Sequence, residues 1–305
     1  MRQLTGTAAP DRVGIGWRPE LGAATLSHLE DIDVLEVLIE DCLHLSRRQR
    51  RAQLFLAGQV PVIYHGVALG LASVQPVDRR RLDRVARFLD SMRAGAWSEH
   101  LAFVRAGGVE IGHLAAPPRT SASMQGACEN LRQIEQLTGL CPALENIATL
   151  VEPPGSTLSE AGWIEEIAST VQAPLLLDLH NLLCNAVNTG IDPQQALAQF
   201  PLERVTCIHL SGGRWLTEPA AWARHPGARR LLDDHLHAVP TVVLELLTAV
   251  AARVQQPLTV IIERDGNFPA FAELLDEIRR ARAALALGRA QRNQIKAVED
   301  ECSCV

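Results

Sequence analysis

The sequence predicts one (β/α)₈ barrel, and three observations carry that expectation. Eight short apolar runs alternate with helical patterns from residue 13 to about residue 287. The runs do not alternate strictly between apolar and polar positions, as expected of parallel strands covered on both faces. Most of them end on a carboxylate, an imidazole or an asparagine, which would bring those groups together at one mouth of a barrel.

In chain order the expected strands are 13–16, 34–39, 60–64, 96–99, 143–146, 175–179, 205–210 and 258–263. Helical patterns fall at 43–58, 78–94, 121–138, 159–170, 192–200, 239–254 and from 269 to about 287. Pro153-Pro154-Gly155 is a turn signal ahead of the helix starting at Ser159. Asp192-Pro193 sets an acidic cap before a proline at the first helical position. An open doubly wound sheet would want a glycine-rich phosphate loop after the first strand. Val13-Gly14-Ile15-Gly16-Trp17 lacks the third glycine and continues into Arg18-Pro19, which argues against a dinucleotide site.

Composition bounds the function. The 305 residues contain 17 Pro and 21 Gly spread along the chain, so residues 1–290 are expected to form one domain, followed by a polar tail, 291–305. A net charge of −6 argues against nucleic acid as a bulk partner. No stretch reaches the ~20 apolar residues of a membrane span, and the start lacks an export signal. Of seven cysteines, Cys42, Cys128, Cys141, Cys184 and Cys207 lie in apolar or helical surroundings, the pattern of reduced, mostly buried thiols in a cytoplasmic protein. Cys302-Ser303-Cys304 reads either as a disordered tail or as a thiol pair binding metal or guarding the active site. Two cysteines alone cannot complete a tetrahedral metal site. Arg47-Arg48-Gln49-Arg50-Arg51 and Arg79-Arg80-Arg81 read as solvated outer helices or as a docking face for an acidic partner.

Six strand ends carry the chemistry: His65, His100, Glu145, Asp178, His209 and Glu263, at the third to eighth strands. So many carboxylates in one low-dielectric mouth repel one another, and divalent cations remove that penalty. Three imidazoles among three carboxylates suit iron, zinc or manganese and are too nitrogen-rich for calcium. Asp233-Asp234-His235-Leu236-His237 adds a second cluster in a long connection that also contains His225. In an extended segment Asp233 and His235 would point the same way. Three metal positions are therefore expected. His65, His100 and Glu145 make the first. Glu145, bridging, with Asp178, His209 and Glu263 makes the second. Asn181 or His180, with Asp233 and His235, makes the third.

The segments Pro61-Val62-Ile63-Tyr64-His65-Gly66-Val67, Ser98-Glu99-His100-Leu101-Ala102-Phe103 and Leu144-Glu145-Asn146 form an ordered set. Leu177-Asp178-Leu179-His180-Asn181, Ile208-His209-Leu210-Ser211-Gly212-Gly213, Asp233-Asp234-His235 and Ile262-Glu263-Arg264-Asp265-Gly266-Asn267 extend it. Over residues 11–285 the set resembles the multinuclear non-haem iron-dependent oxidative enzymes, the group containing the methanobactin-biosynthesis oxidase. The resemblance implies a xylose-isomerase-like TIM barrel with two or three irons at the residues above, Asn181 serving the third. It implies dioxygen as co-substrate, a ribosomally made precursor peptide as substrate, usually modified at cysteine, and a small leader-binding partner protein. Trp17 in the first loop, Glu40-Asp41 after the second strand and His180 before Asn181 depart from the family's usual residues.

On this reading Arg264 and Asp265 would orient ligands or pair with substrate, and Asn146 would donate to a bound oxygen species. A divalent-metal hydrolase or sugar isomerase on the same barrel is the rival enzyme, and a metal-dependent peptide-binding protein is the rival outside catalysis.

Overall fold

In the computed structural model, residues 10–106, 109–217 and 227–303 are described. The eight expected strands are β1 (Arg12–Gly16), β2 (Leu35–Leu38), β3 (Val62–Gly66), β4 (Trp97–His100), β5 (Ala143–Glu145), β6 (Leu175–Asp178), β7 (Val205–Leu210) and β8 (Thr259–Ile262). They pair in chain order, all parallel, and β1 pairs with β8 to close the barrel. The TIM-barrel expectation holds. Gly14 is required at the β1–β2 seam, because a Cβ there would collide with the Val34 carbonyl.

Two apolar clusters sit below the mouth. The larger lies between the strands and the surrounding helices, with Leu82, Leu131, Ile134, Ile167 and Leu246 fully buried. The smaller, formed by Val34, Ala143, Leu176, Cys207 and Ile261, is the barrel's inner floor. Burial pushes the Cys207 thiol up to about 12, so it serves as an apolar filler under the polar mouth.

Most helix starts follow their capping residues. Ser46 accepts from Gln49 N in a capping box, which starts the first expected helix at Arg47 rather than Leu43. Asp78, Thr120, Ser159 and Asp192 cap the helices Arg79–Met92, Ser121–Thr138, Glu160–Val171 and Pro193–Leu197. The last helix, Phe271–Ser303, runs past the expected boundary at 290 and takes in the backbone of Cys302, while Cys304 lies outside the described residues. Cys42, Cys128, Cys184 and Cys207 are buried, and Cys141 is half-buried.

The connections after β4, β6 and β7 differ from the sequence expectation. A helix, Leu179–Thr189, begins immediately after β6, ahead of the expected helical pattern at 192–200. The β4 and β7 connections each carry an antiparallel hairpin, Phe103–Ala106 with Val109–Ala115 and Gly213–Thr217 with Arg229–Asp233. His225, in the second connection, lies outside the described residues. Among the described residues, no helix is long and apolar enough to cross a membrane.

Candidate metal centre

Strand register places the ligand candidates abreast. His100 stands opposite Glu145 across β4–β5, and Asp178 opposite His209 across β6–β7. Glu145 lies at the centre, 1% exposed. Its Oε2 is 3.2 Å from His65 Nε2 and 3.3 Å from His100 Nε2. Its Oε1 faces the other way, 3.2 Å from His209 Nδ1, which is also 3.1 Å from Glu263 Oε2. Two tight groups result: His65, His100 and Glu145, and Glu145, Asp178, His209 and Glu263, each with its ligand atoms within 4.8 Å of one another. These match the first two expected positions, with Glu145 common to both.

The donor set fits metal. Buried Glu145 Oε2, Asp178 Oδ2 and Asn181 Oδ1 have no hydrogen-bond partner among the described residues. Unsatisfied buried oxygens are costly, about 1–3 kcal/mol each, and cations would satisfy all three. For His65 and His209 the ring nitrogen turned away from the ligand group is held elsewhere, whereas His100 Nδ1 has no partner among the described residues. His65 Nδ1 is 2.8 Å from Ser98 Oγ, and His209 Nε2 is 2.9 Å from Glu36 Oε2. Such outer contacts fix which nitrogen faces a metal.

The β7 hairpin and the β8 end bring together Asp233 and His235 of the third expected group. His235 donates its N–H to Gly212 O and accepts from Asp265 N, with φ at 54°. Its pairing with Asp233, Nε2 to Oδ2 at 2.9 Å, thus comes from a left-handed turn and not from extended alternation. Asp233 Oδ1 is 2.6 Å from His180 Nδ1 and accepts from Ser211 Oγ. Asn181, Asp233 and His235 line one cleft. Asp178 Oδ1 caps the helix Leu179–Thr189 by accepting from Asn181 N at 2.7 Å, which turns the Asn181 side chain toward the mouth. Its Nδ2 donates to Asn146 O, leaving Oδ1 free to ligate. His180, by contrast, is engaged with Asp233. Asn181→Ala is therefore expected to lose one metal equivalent, while His180→Ala keeps the count and lowers affinity. Metal analysis of both variants checks this, and metal loss confined to His180→Ala would reverse the assignment.

The three further candidates have defined places. Asn146 spends its amide on the Asp178 backbone, donating to its O at 3.0 Å and accepting from its N at 2.9 Å. It therefore steadies β6 against β5. Arg264 turns to Glu277 of the last helix, 3.2 Å away and equally buried, so it anchors that helix and does not face the mouth. Asp265 does reach the site, with Oδ2 3.2 Å from His235 Nδ1 and Oδ1 paired with the Arg18 guanidinium. Glu36, Ser98 and Arg18 were not singled out by sequence. The available signal was a charge inside the apolar run 34–39, since a carboxylate within a covered strand requires a buried partner.

Burial and mutual charge set the protonation states. Burial opposes charge on His209, yet Glu263, Glu36 and Glu145 hold its pKa well above the usual value. His235 is likewise raised against burial, by Glu263 and Asp233 among others. Burial, reinforced by Asp233, raises Asp178 well above the usual range. Burial lowers His100 to about 4, leaving it a neutral ligand. Burial raises Glu145, but His100, His209 and His65 outweigh it and the net shift is downward. Without metal, His209 and His235 carry protons that a cation must displace. Metal affinity should therefore fall as pH falls, with protons released from His209 and His235 as the centres load. Titration of zinc in weak buffer checks this, and pH-independent affinity would contradict it.

Beside the third group lies a cleft of about 480 Å³, within the range of small-ligand sites. Phe103, Leu114, Ile147, Leu150 and Val151 give it apolar walls, and His100, Asn181, Asp233 and His235 form its polar end.

Comparison with known proteins gives a family and a fold. The family described as "RiPP precursor modification enzyme MbnB/TglH/ChrH" matches residues 12–286. A UPF0276 protein of Streptomyces avermitilis is 35% identical over 281 residues, which cover 89% of this chain and 54% of that relative. A UPF0276 protein of Bordetella parapertussis is 31% identical over 281 residues, covering 92% of this chain and 95% of the relative. The chain thus spans about half of the first relative and nearly all of the second. Among solved structures, D-psicose 3-epimerase from Clostridium cellulolyticum H10 aligns with a TM-score of 0.53 at 12% identity, covering 92% of this chain and 99% of that one. A xylose isomerase domain containing protein from Salmonella typhimurium LT2 aligns at 0.57 and 13%, with the same coverage. At these identities the likeness shows the xylose-isomerase-like barrel and no more.

Proposed function

The chain belongs to the MbnB/TglH/ChrH family of enzymes that modify precursors of ribosomally made peptides, and from that premise we propose that it is a dioxygen-dependent iron oxidase acting on a precursor peptide, foremost at cysteine. The observation that carries this reading is Glu145, whose two oxygens face two adjacent ligand groups. When bound, two or three irons would supply open coordination positions for a substrate thiolate and for dioxygen.

The chain's own residues hold and orient. Glu145 fixes the spacing of neighbouring centres, and fixed spacing is what positions reactants. Ser98 and Glu36 set the faces of His65 and His209, and Arg18 and Asp265 steady His235. The apolar cleft beside His100 and His235 excludes water from a peptide side chain directed at the centres.

A precursor leader and a small partner protein complete the proposal. Arg47, Arg48 and Arg51 are exposed and suit an acidic segment, whereas Arg81 is paired with Glu110 and Arg79 with Asp83. Binding at such a face should weaken with salt, screened over ~8 Å at physiological strength.

One observation favours a second reading. The group Glu145, Asp178, His209 and Glu263 has one imidazole and three carboxylates, an oxygen-rich set that suits manganese or magnesium. A sugar isomerase, epimerase or hydrolase would use such a site alone. Anaerobic metal analysis with mass analysis of a co-expressed candidate precursor separates the two. Two or three irons and an oxygen-dependent mass change support the oxidase. One manganese per chain, with ketose interconversion and an unmodified precursor, would replace it.

A further inference from the structure

We infer that Glu36 is a positioning residue that makes His209 ligate through Nδ1, in contrast to His65 and His100, which face their metal position through Nε2. The inference rests on the metal reading above but not on iron, dioxygen or a peptide.

Both ring nitrogens of His209 are committed, and to different groups. Nδ1 lies 3.2 Å from Glu145 Oε1 and 3.1 Å from Glu263 Oε2, within the second ligand group. Nε2 lies 2.9 Å from Glu36 Oε2. The two nitrogens of an imidazole point in divergent directions, so a cation at Nδ1 is out of reach of the carboxylate oxygen at Nε2. Glu36 accordingly falls outside both tight ligand groups. Its place is behind the ring, where it accepts the Nε2 proton.

The position of Glu36 is well fixed. It is 2% exposed in β2, and its backbone oxygen accepts from Trp17 N. β2 supplies none of the proposed ligands. Its one inward carboxylate instead reaches across the barrel interior to β7, 173 residues on in sequence. A carboxylate behind a ligating histidine fixes the tautomer and raises ligand basicity, and its loss typically lowers metal affinity about 10–100-fold.

The test uses zinc as a diamagnetic probe. In zinc-loaded wild-type protein labelled with ¹⁵N-histidine, His209 is expected to show a protonated Nε2 and a metal-bound Nδ1, while His65 and His100 show metal-bound Nε2. Glu36→Gln should weaken one zinc equivalent about 10–100-fold and leave the His65–His100 signals in place. Glu36→Asp should recover part of the loss. A His209 bound through Nε2, or a Glu36→Gln variant with wild-type zinc affinity, would overturn the inference. If Glu36→Gln fails to fold, the wild-type spectrum still decides. Zinc bound with the stated tautomers, but no iron and no modified precursor, would sink the oxidase reading and leave this one standing.

Discussion

Exchanging Glu145 for glutamine is expected to remove at least one metal equivalent and to reduce turnover by more than about 100-fold, beyond the range seen for outer contacts of a metal site. The amide keeps the side chain's shape but offers one oxygen in place of two. It therefore cannot serve the His65–His100 group through Oε2 and the His209–Glu263 group through Oε1 together. The fold should persist, because the barrel is held by the apolar shell between strands and helices and by the inner floor, none of which includes Glu145. Metal analysis, turnover and circular dichroism of the variant make the check. Full metal with full activity would disprove the bridge, and collapse of the barrel would show that the role is structural.

The second large effect is expected at Gly213. A Cβ there would collide with the Leu232 carbonyl oxygen and lie 2.6 Å from His180 Cε1. Neither neighbour can yield easily. The carbonyl belongs to the partner strand of the hairpin, and His180 is buried and bonded to Asp233. Gly213→Ala should therefore lose about 3 kcal/mol of stability, the upper end of overpacking costs, and displace Asp233. Loss of the third metal with retention of the first two is the expected signature, read by thermal denaturation and metal counting. A variant with wild-type stability and three metals would show that the hairpin adjusts freely.

Much of this was legible in the sequence because six of the barrel's eight strands are apolar runs ended by a polar group. Strand ends mark the mouth, so the residues of the first two candidate ligand groups are legible from the strand pattern. The hairpins were hidden because their strands pair only with each other and carry Arg105, Glu110, Arg214 and Arg229 on mixed, largely exposed faces. The helix Leu179–Thr189 was hidden by Asn181, Asn185 and Asn188, poor helix formers that here make side-chain bonds to neighbouring backbone. Asp233 and His235 were rightly paired for the wrong reason, since a left-handed residue cannot be read from a period of two. Glu36 lies inside β2 and not at a strand end, so the strand-end pattern does not mark it. A carboxylate inside a covered strand calls for a buried partner, but that this partner is His209 emerges only when β7 is brought beside it.

Asp178 belongs to two structures at once. One oxygen caps the first turn of the helix Leu179–Thr189, and the other is unsatisfied and turned toward the second ligand group. A cation there would draw off the proton that burial favours, leaving a charged carboxylate facing the positive end of that helix. Filling the centre thus tightens a backbone segment whose own residues include Asn181. Amide hydrogen exchange at Asn181 becomes a gauge of occupancy, slowing as metal enters. An empty enzyme would be recognisable by a loosened helix end before any reaction is attempted.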